Sequence, residues 1–178
     1  MFFHAYMYGP LQGKLRLYGA RGIPPGSIAM SSDWEVFASM LVKDVGRKMV
    51  AGIDLANYEV KSAKRRASYE YQYHKKTGLE KLLRDAEVGH LFFEYFENLE
   101  EVHLRYLHGS QLVEFFTKWR DKYPQPYPQR YRKNVPYGFV KRYGIPLMTI
   151  KNGEVVFPLL VSGAAPVSID AREDEEES

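Results

Sequence analysis

Gly52-Ile53-Asp54-Leu55-Ala56-Asn57-Tyr58-Glu59-Val60-Lys61-Ser62 is the stretch from which the rest of this chain is read. Its patterning predicts two strands, at about 48–54 and 57–64, joined by a turn. In an extended strand, side chains two residues apart leave on the same face. Glu59 and Lys61 therefore point one way, and Tyr58, Val60 and Ser62 the other. The turn from Asp54 to Asn57 is short enough to set the Asp54 carboxylate beside Glu59. Two carboxylates able to share a hard divalent cation, with an ammonium group next to them, suit phosphodiester hydrolysis. The cation offsets developing negative charge and polarises a water. The same spacing also fits a solvated strand face carrying a Glu59–Lys61 salt bridge, so the neighbouring segments must decide.

With 178 residues and 45% hydrophobic content, the chain can bury one real core. A single domain over 1–162 and a disordered acidic tail over 163–178 are expected. The absence of cysteine excludes disulfides and thiolate metal sites and suits a reducing cytosol. No run is apolar enough for a membrane span, and no basic segment followed by an apolar stretch opens the chain, so no membrane partner is expected. The formal charge of +3 hides a more basic body. Asp170 to Ser178 holds six acids and one Arg, leaving 24 basic against 16 acidic residues elsewhere. The basic residues cluster at Lys61-Lys64-Arg65-Arg66, His74-Lys75-Lys76 and Arg130-Arg132-Lys133, interleaved with Tyr and Gln. Such clusters fit a polyanion partner.

Residues 2–18 read as a β-hairpin around Gly9-Pro10-Leu11-Gln12-Gly13, an arm for dimerisation or for DNA. Ser32 or Asp33 can cap a helix to about Val45, with Phe37, Leu41 and Val45 as its stripe and Gly46 as its stop. Tyr69 to Lys76 reads as an extended polar excursion, and Thr77 caps a short helix carrying Leu79, Leu82, Leu83 and Ala86. Val88 to Phe96 is nearly continuous apolar, as in a strand buried on both faces. Glu101 to Leu107 alternates, and Ser110 to Tyr123 has a helical stripe. Residues 124–134 lack periodicity and are expected to be a surface loop. A short helix at Tyr137–Tyr143 leads into a hairpin turning at Asn152-Gly153. The expected fold is α/β, a central mixed β-sheet flanked by helices.

The Asp54, Glu59, Lys61 spacing resembles the active-site motif of the PD-(D/E)xK nucleases, with Ile53 in place of the usual Pro. Over about residues 33–150 the chain is similar to a small type II restriction endonuclease of that superfamily. The likeness is carried by Tyr58-Glu59-Val60-Lys61-Ser62, by His74, by Leu91-Phe92-Phe93-Glu94-Tyr95 and by Phe115-Phe116-Thr117-Lys118-Trp119-Arg120-Asp121-Lys122-Tyr123. Asn134-Val135-Pro136 and Val140-Lys141-Arg142-Tyr143-Gly144 extend it. Lys75 and Lys76 stand where that enzyme has two further histidines.

The resemblance implies a restriction-endonuclease-like core, a homodimer on double-stranded DNA, a prokaryotic cytoplasmic setting and a companion DNA methyltransferase. It implies Mg²⁺ held by Asp54 and Glu59 with the Val60 carbonyl, and Lys61 acting on the attacking water. Glu35 on the first helix, and Asp85 on the later one, are supporting carboxylates that can hold a water at the metal; for Glu35 an ordinary solvated first-turn Glu is the alternative. Tyr71, Gln72, His74, Lys75 and Lys76 are candidates for base edges in the major groove, with phosphate contact the alternative for the lysines. Arg132, Lys133 and Asn134 fall where the family has a second DNA-contacting loop. His4, His90, His103 and His108 lack ligand spacing and are read as structural. Two rivals stay open: a structure-specific nuclease of the superfamily, such as a Holliday-junction resolvase, and an inactive DNA-binding protein on the same scaffold.

Overall fold

The structure, a computed structural model, describes residues 2–20, 31–44, 54–74, 77–96, 98–123 and 130–156. The chain opens with a wide π-helical turn, Phe3–Tyr8, that runs into helix α1 (Gly9–Ala20), and α2 spans Ser31–Val42. Then follow β1 (Tyr58–Lys64), β2 (Tyr69–His74), α3 (Gly78–Asp85), β3 (Gly89–Tyr95) and β4 (Glu101–His108). A 3₁₀ turn (Gly109–Leu112) leads to α4 (Val113–Asp121), β5 (Arg130–Val135), α5 (Tyr137–Tyr143), β6 (Ile145–Lys151) and β7 (Glu154–Val156).

Five strands form one mixed sheet in the order β1-β3-β4-β6-β7, with β1 parallel to β3 and the other pairs antiparallel. Strands β2 and β5 make a separate antiparallel ribbon. Two cores lie on opposite faces of the main sheet. Leu91, Phe93, Val102, Leu104 and Ile150 pack under the N-terminal helices and α2. Phe92, Ala63 and Leu107 pack under the ribbon with α3, α4 and α5. Strand β3 thus feeds both cores, which is why its sequence is apolar almost throughout. The closing hairpin turns at Asn152 and Gly153 with φ of 51° and 83°, the positive pair that a two-residue turn of this kind requires. Among the described residues no helix is long and apolar enough to cross a membrane.

Three expectations are corrected. The segment 2–18 is helical, not a hairpin. Its buried residues are Phe3, Met7 and Leu11, with Leu15 packed beside them, and this four-residue period is a helical stripe. Pro10 sits where the π-helical turn passes into α1, inside a continuous helical segment, so Gly9-Pro10 is no turn signal here. Helix α2 begins at Ser31 and buries Trp34, Phe37 and Ala38, whereas Leu41 is exposed. Of the loop expected at 124–134, residues 130–134 belong to strand β5, because Tyr131 and Val135 alternate inward against the tyrosines of β2, and 124–129 lie outside the described residues. The strand at about 48–53, Val45 with Gly46, and the tail beyond Val156 lie outside the described residues.

Since Phe3 is buried against Trp34 and Phe37, the N-terminal segment is part of the core and not a separable arm. Phe3→Ala should cost about 3–5 kcal/mol, read as a lowered urea midpoint. An unchanged midpoint would place the segment off the core.

Candidate active site

Strand alternation sends Tyr58 and Val60 to the core under α2 and leaves Glu59 and Lys61 on the opposite face. Upstream, the Leu55 N–H donates to the Tyr58 carbonyl at 2.9 Å, closing the turn. The Val60 N–H donates to Asp54 Oδ2 at 2.8 Å, so Asp54 is folded back onto the strand that carries Glu59, as its spacing predicts. The Asn57 N–H donates to Asp44 Oδ2 at 2.8 Å and ties the turn to the end of α2.

Glu59 is fully buried, not merely cleft-facing. Its Oε1 accepts from both Lys61 Nζ and Lys81 Nζ, each at 2.5 Å, while Oε2 is buried with no partner. Lys81 also donates to Asp85 Oδ1 at 3.0 Å, one helical turn along α3. The Tyr73 hydroxyl donates to Asp85 Oδ2 at 2.9 Å. Lys61 Nζ lies 4.8 Å over the Tyr71 ring, a cation–π contact. His90 sits behind, between the Tyr71 hydroxyl at Nδ1 (2.8 Å) and the Asp85 carbonyl at Nε2 (2.7 Å). A carbonyl only accepts, so Nε2 carries the proton and Tyr71 donates to Nδ1. The ring is neutral, in keeping with burial that pushes its pKa down to about 4.

Glu35, Asp54, Glu59, Lys61 and Lys81 line one cleft of about 570 Å³. Burial, and then the Glu59 charge, push the Asp54 pKa up to about 7. Burial likewise raises Glu35, with Lys61 opposing and Glu59 reinforcing the shift. Burial also works against the charge on Glu59, but Lys61 and Lys81 outweigh it and hold that carboxylate below its ordinary range. Lys61 is held above its ordinary range, because the Glu59 and Asp54 charges outweigh its burial. Asp85 is pushed up to about 6 by burial and then by Glu59.

The predicted residues separate into groups. Asp54, Glu59, Val60 and Lys61 come together, and Glu35 joins them as a cleft residue. Asp85 is buried behind Lys81 and so holds that lysine in place of a water at a metal. Gln72 and His74 line the cleft from β2. Tyr71 does not, because it belongs to the inward row Tyr69, Tyr71, Tyr73 and is fully buried against Phe116 and Trp119. It supports Lys61 and reaches no base. The segment predicted as a polar excursion is therefore a strand with one apolar face. Arg132 and Asn134 are exposed on β5, opposite Gln72 and Glu70. Lys133 is turned to the inward row, with Nζ 4.7 Å over the Tyr131 ring, so it does not share their surface. Lys75 and Lys76 lie outside the described residues.

Lys81 escaped the sequence reading, and Arg130 figured there only as one of a basic cluster. Lys81 enters the cleft from α3, and its four-residue spacing from Asp85 was the available signal. Arg130 stands opposite His74 and becomes its neighbour only once β5 is known to be a strand. Among the described residues no three His, Asp or Glu side chains converge into a ready cage for a metal. Magnesium is ordinarily held by one or two carboxylates, with water and phosphate completing its shell. No protein-family model matches the chain, and no curated protein matches it.

Proposed function

We propose that this chain is a Mg²⁺-dependent nuclease of the PD-(D/E)xK kind, a type II restriction endonuclease that cuts double-stranded DNA as a homodimer. The observation that carries the reading is the convergence of Asp54, Glu59 and Lys61 in one cleft, beside a polar strand face. The likeness to the small type II enzyme PvuII over about residues 33–150 supports the same reading, with its restriction-endonuclease-like fold.

The donor set suits magnesium. Glu59 Oε2 is buried without a partner, and the Asp54 carboxyl is held near neutrality by burial and by Glu59, so both gain from a cation. Asp54, Glu59 and the Val60 carbonyl are the residues that would hold it, and when bound it would supply positive charge against the charge growing on the phosphate. Lys61, an ammonium beside Glu59 in the metal-free cleft, would orient the attacking water or help deprotonate it. In the hydrolysis a water oxygen bonds to phosphorus and the bond from phosphorus to the 3′ oxygen breaks. One water proton ends on the 3′ hydroxyl and the other passes to solvent, leaving a 5′-phosphate. Gln72 and His74 line the cleft from β2, and with Arg132 and Asn134 on the paired strand β5 they would meet duplex DNA. A two-fold dimer would match a palindromic site, and a companion methyltransferase would protect it.

Digestion of a sequenced phage genome with Mg²⁺, followed by sequencing of the ends, tests the reading. Discrete ends at one short sequence support it. Cutting of four-way junctions alone would favour the resolvase reading, and binding without Mg²⁺-stimulated cleavage would favour the inactive scaffold.

On a cognate duplex, His74→Ala should cost about 1–3 kcal/mol at a single base position. Arg132→Ala should lower affinity for all duplexes alike and reduce the salt slope by about one. Mobility shifts in Ca²⁺ on cognate and random DNA compare them, and equal losses for His74→Ala would remove it from base readout.

A further inference from the structure

We propose that Lys81 is a second catalytic lysine, donating to a non-bridging oxygen of the scissile phosphate, with Asp85 as its positioning residue. The inference rests on the nuclease reading above and adds to its machinery. An ammonium group has three N–H donors. Among the described residues Glu59 Oε1 and Asp85 Oδ1 take two of those on Lys81, which leaves one. The side chain keeps 13% exposure and lines the cleft together with Glu59 and Lys61.

Lys81 balances the buried Asp85 charge, and its reach to Glu59 at the cleft goes beyond that balance. Glu59 already has Lys61 as a counter-ion, on the same oxygen. Asp85, in turn, is fully buried and has no place in the cleft wall, and among the described residues its carboxylate accepts from the Lys81 and Tyr73 side chains. Burying an extra ion is costly unless it is paired and hydrogen-bonded, and this carboxylate is used to fix one ammonium at the cleft.

The helix that bears the pair is clamped at both ends. A Cβ on Gly78 would stand 2.1 Å from the Tyr123 hydroxyl and 2.9 Å from Tyr73 Cβ, so α3 approaches β2 closely there. A Cβ on Gly109 would stand 2.3 Å from the Asp85 carbonyl, so the 3₁₀ turn seats against the other end. A donor fixed in this way needs no reorganisation as charge builds on the phosphate, which is the condition under which such contacts speed a reaction.

The test uses the full chain and its cleaved duplex, with sulfur replacing each non-bridging oxygen of the scissile phosphate in turn. Wild type, Lys81→Met, Lys81→Arg and the double variant Lys81→Met/Asp85→Asn are compared in single-turnover cleavage. The double variant removes both buried charges, so it separates folding from rate. Lys81→Met should slow cleavage of the all-oxygen duplex by about 10²-fold or more, with duplex affinity in Ca²⁺ little changed. The double variant should show the same slowing with a melting midpoint near wild type, and Lys81→Arg should recover part of the rate. One sulfur position, not relieved by Mn²⁺, should slow wild type and slow neither Met variant further. Equal sulfur effects in wild type and in the folded double variant would overturn the proposal and leave Lys81 a charge-balancing group. A wild type that cuts no duplex with Mg²⁺ would instead sink the nuclease reading itself.

Discussion

Lys61→Ala should lower the cleavage rate by about 10³-fold or more with little loss of stability, whereas Glu59→Ala should lose both. The difference follows from how the charges are shared. Removing the Lys61 ammonium leaves Glu59 bound to Lys81, so no buried charge is stranded. The activating donor next to the attacking water is lost all the same. Removing the Glu59 carboxylate strands the Lys61 ammonium, which is only 14% exposed, and leaves Lys81 with Asp85 alone. Breaking a buried pair from one side typically costs about 3–5 kcal/mol. Glu59→Gln keeps the volume and an acceptor for the lysines, so its rate loss should match that of Glu59→Ala with a smaller stability cost. Single-turnover cleavage in Mg²⁺ and urea unfolding of the same preparations check both halves. Near wild-type cleavage by Lys61→Ala would take it out of the active site. A Glu59→Ala midpoint equal to wild type would mean that the two lysines find water in place of the carboxylate.

The sequence was most legible where the determining contacts are local. The turn from Asp54 to Asn57 and the period-two strand after it place Asp54, Glu59 and Lys61 without help from the rest of the chain. The apolar run of β3 and the Asn152-Gly153 turn are equally self-contained. Legibility failed where identity depends on a distant partner. Strand β5 carries Arg130, Arg132, Lys133 and Asn134 and looks like a loop until β2, some sixty residues earlier, supplies the edge it pairs with. Tyr71, expected at a base edge, lies instead in a buried aromatic layer that satisfies its hydroxyl through His90, a partner 19 residues away in sequence. At the N-terminus the aromatic residues and Gly9-Pro10 favour a hairpin locally, while the spacing of Phe3, Met7 and Leu11 favours a helix. Burial against α2 decides for the longer period. Lys81 needed only the recognition that α3 packs on the face carrying Glu59.

Asp54→Asn should make the metal-free protein more stable at pH 8 while abolishing cleavage. The sign follows from proton uptake. In the unfolded chain Asp54 ionises near its ordinary pKa of 3.8, whereas in the folded protein burial and Glu59 hold the proton to about 7. Between those values the folded state binds more protons, so Asp54 lowers stability progressively as pH rises, and the loss levels off above about 7. A displacement of that size corresponds to roughly 4 kcal/mol at pH 8, an upper bound for a group with some access to the cleft. Asparagine bears no charge and can still accept the Val60 N–H, so the variant escapes the loss. Asp85, pushed up to about 6, and Glu35 act in the same direction as Asp54. Opposing them are His90, pushed down to about 4, and Glu59, whose contribution is lost only as the solution becomes acidic. Those four groups are present in both proteins, so the difference between the two melting curves reports Asp54 together with its coupling to Glu59 and Lys61. Melting midpoints in EDTA should nearly coincide at pH 4 and separate steadily up to about pH 7. Added Mg²⁺ should raise the wild-type midpoint at pH 8 and leave the variant almost unmoved, because the cation offsets the charge that asparagine lacks. Parallel curves in EDTA across this range would show that Asp54 ionises freely in the folded protein, and that the cleft holds no carboxylate in need of a cation.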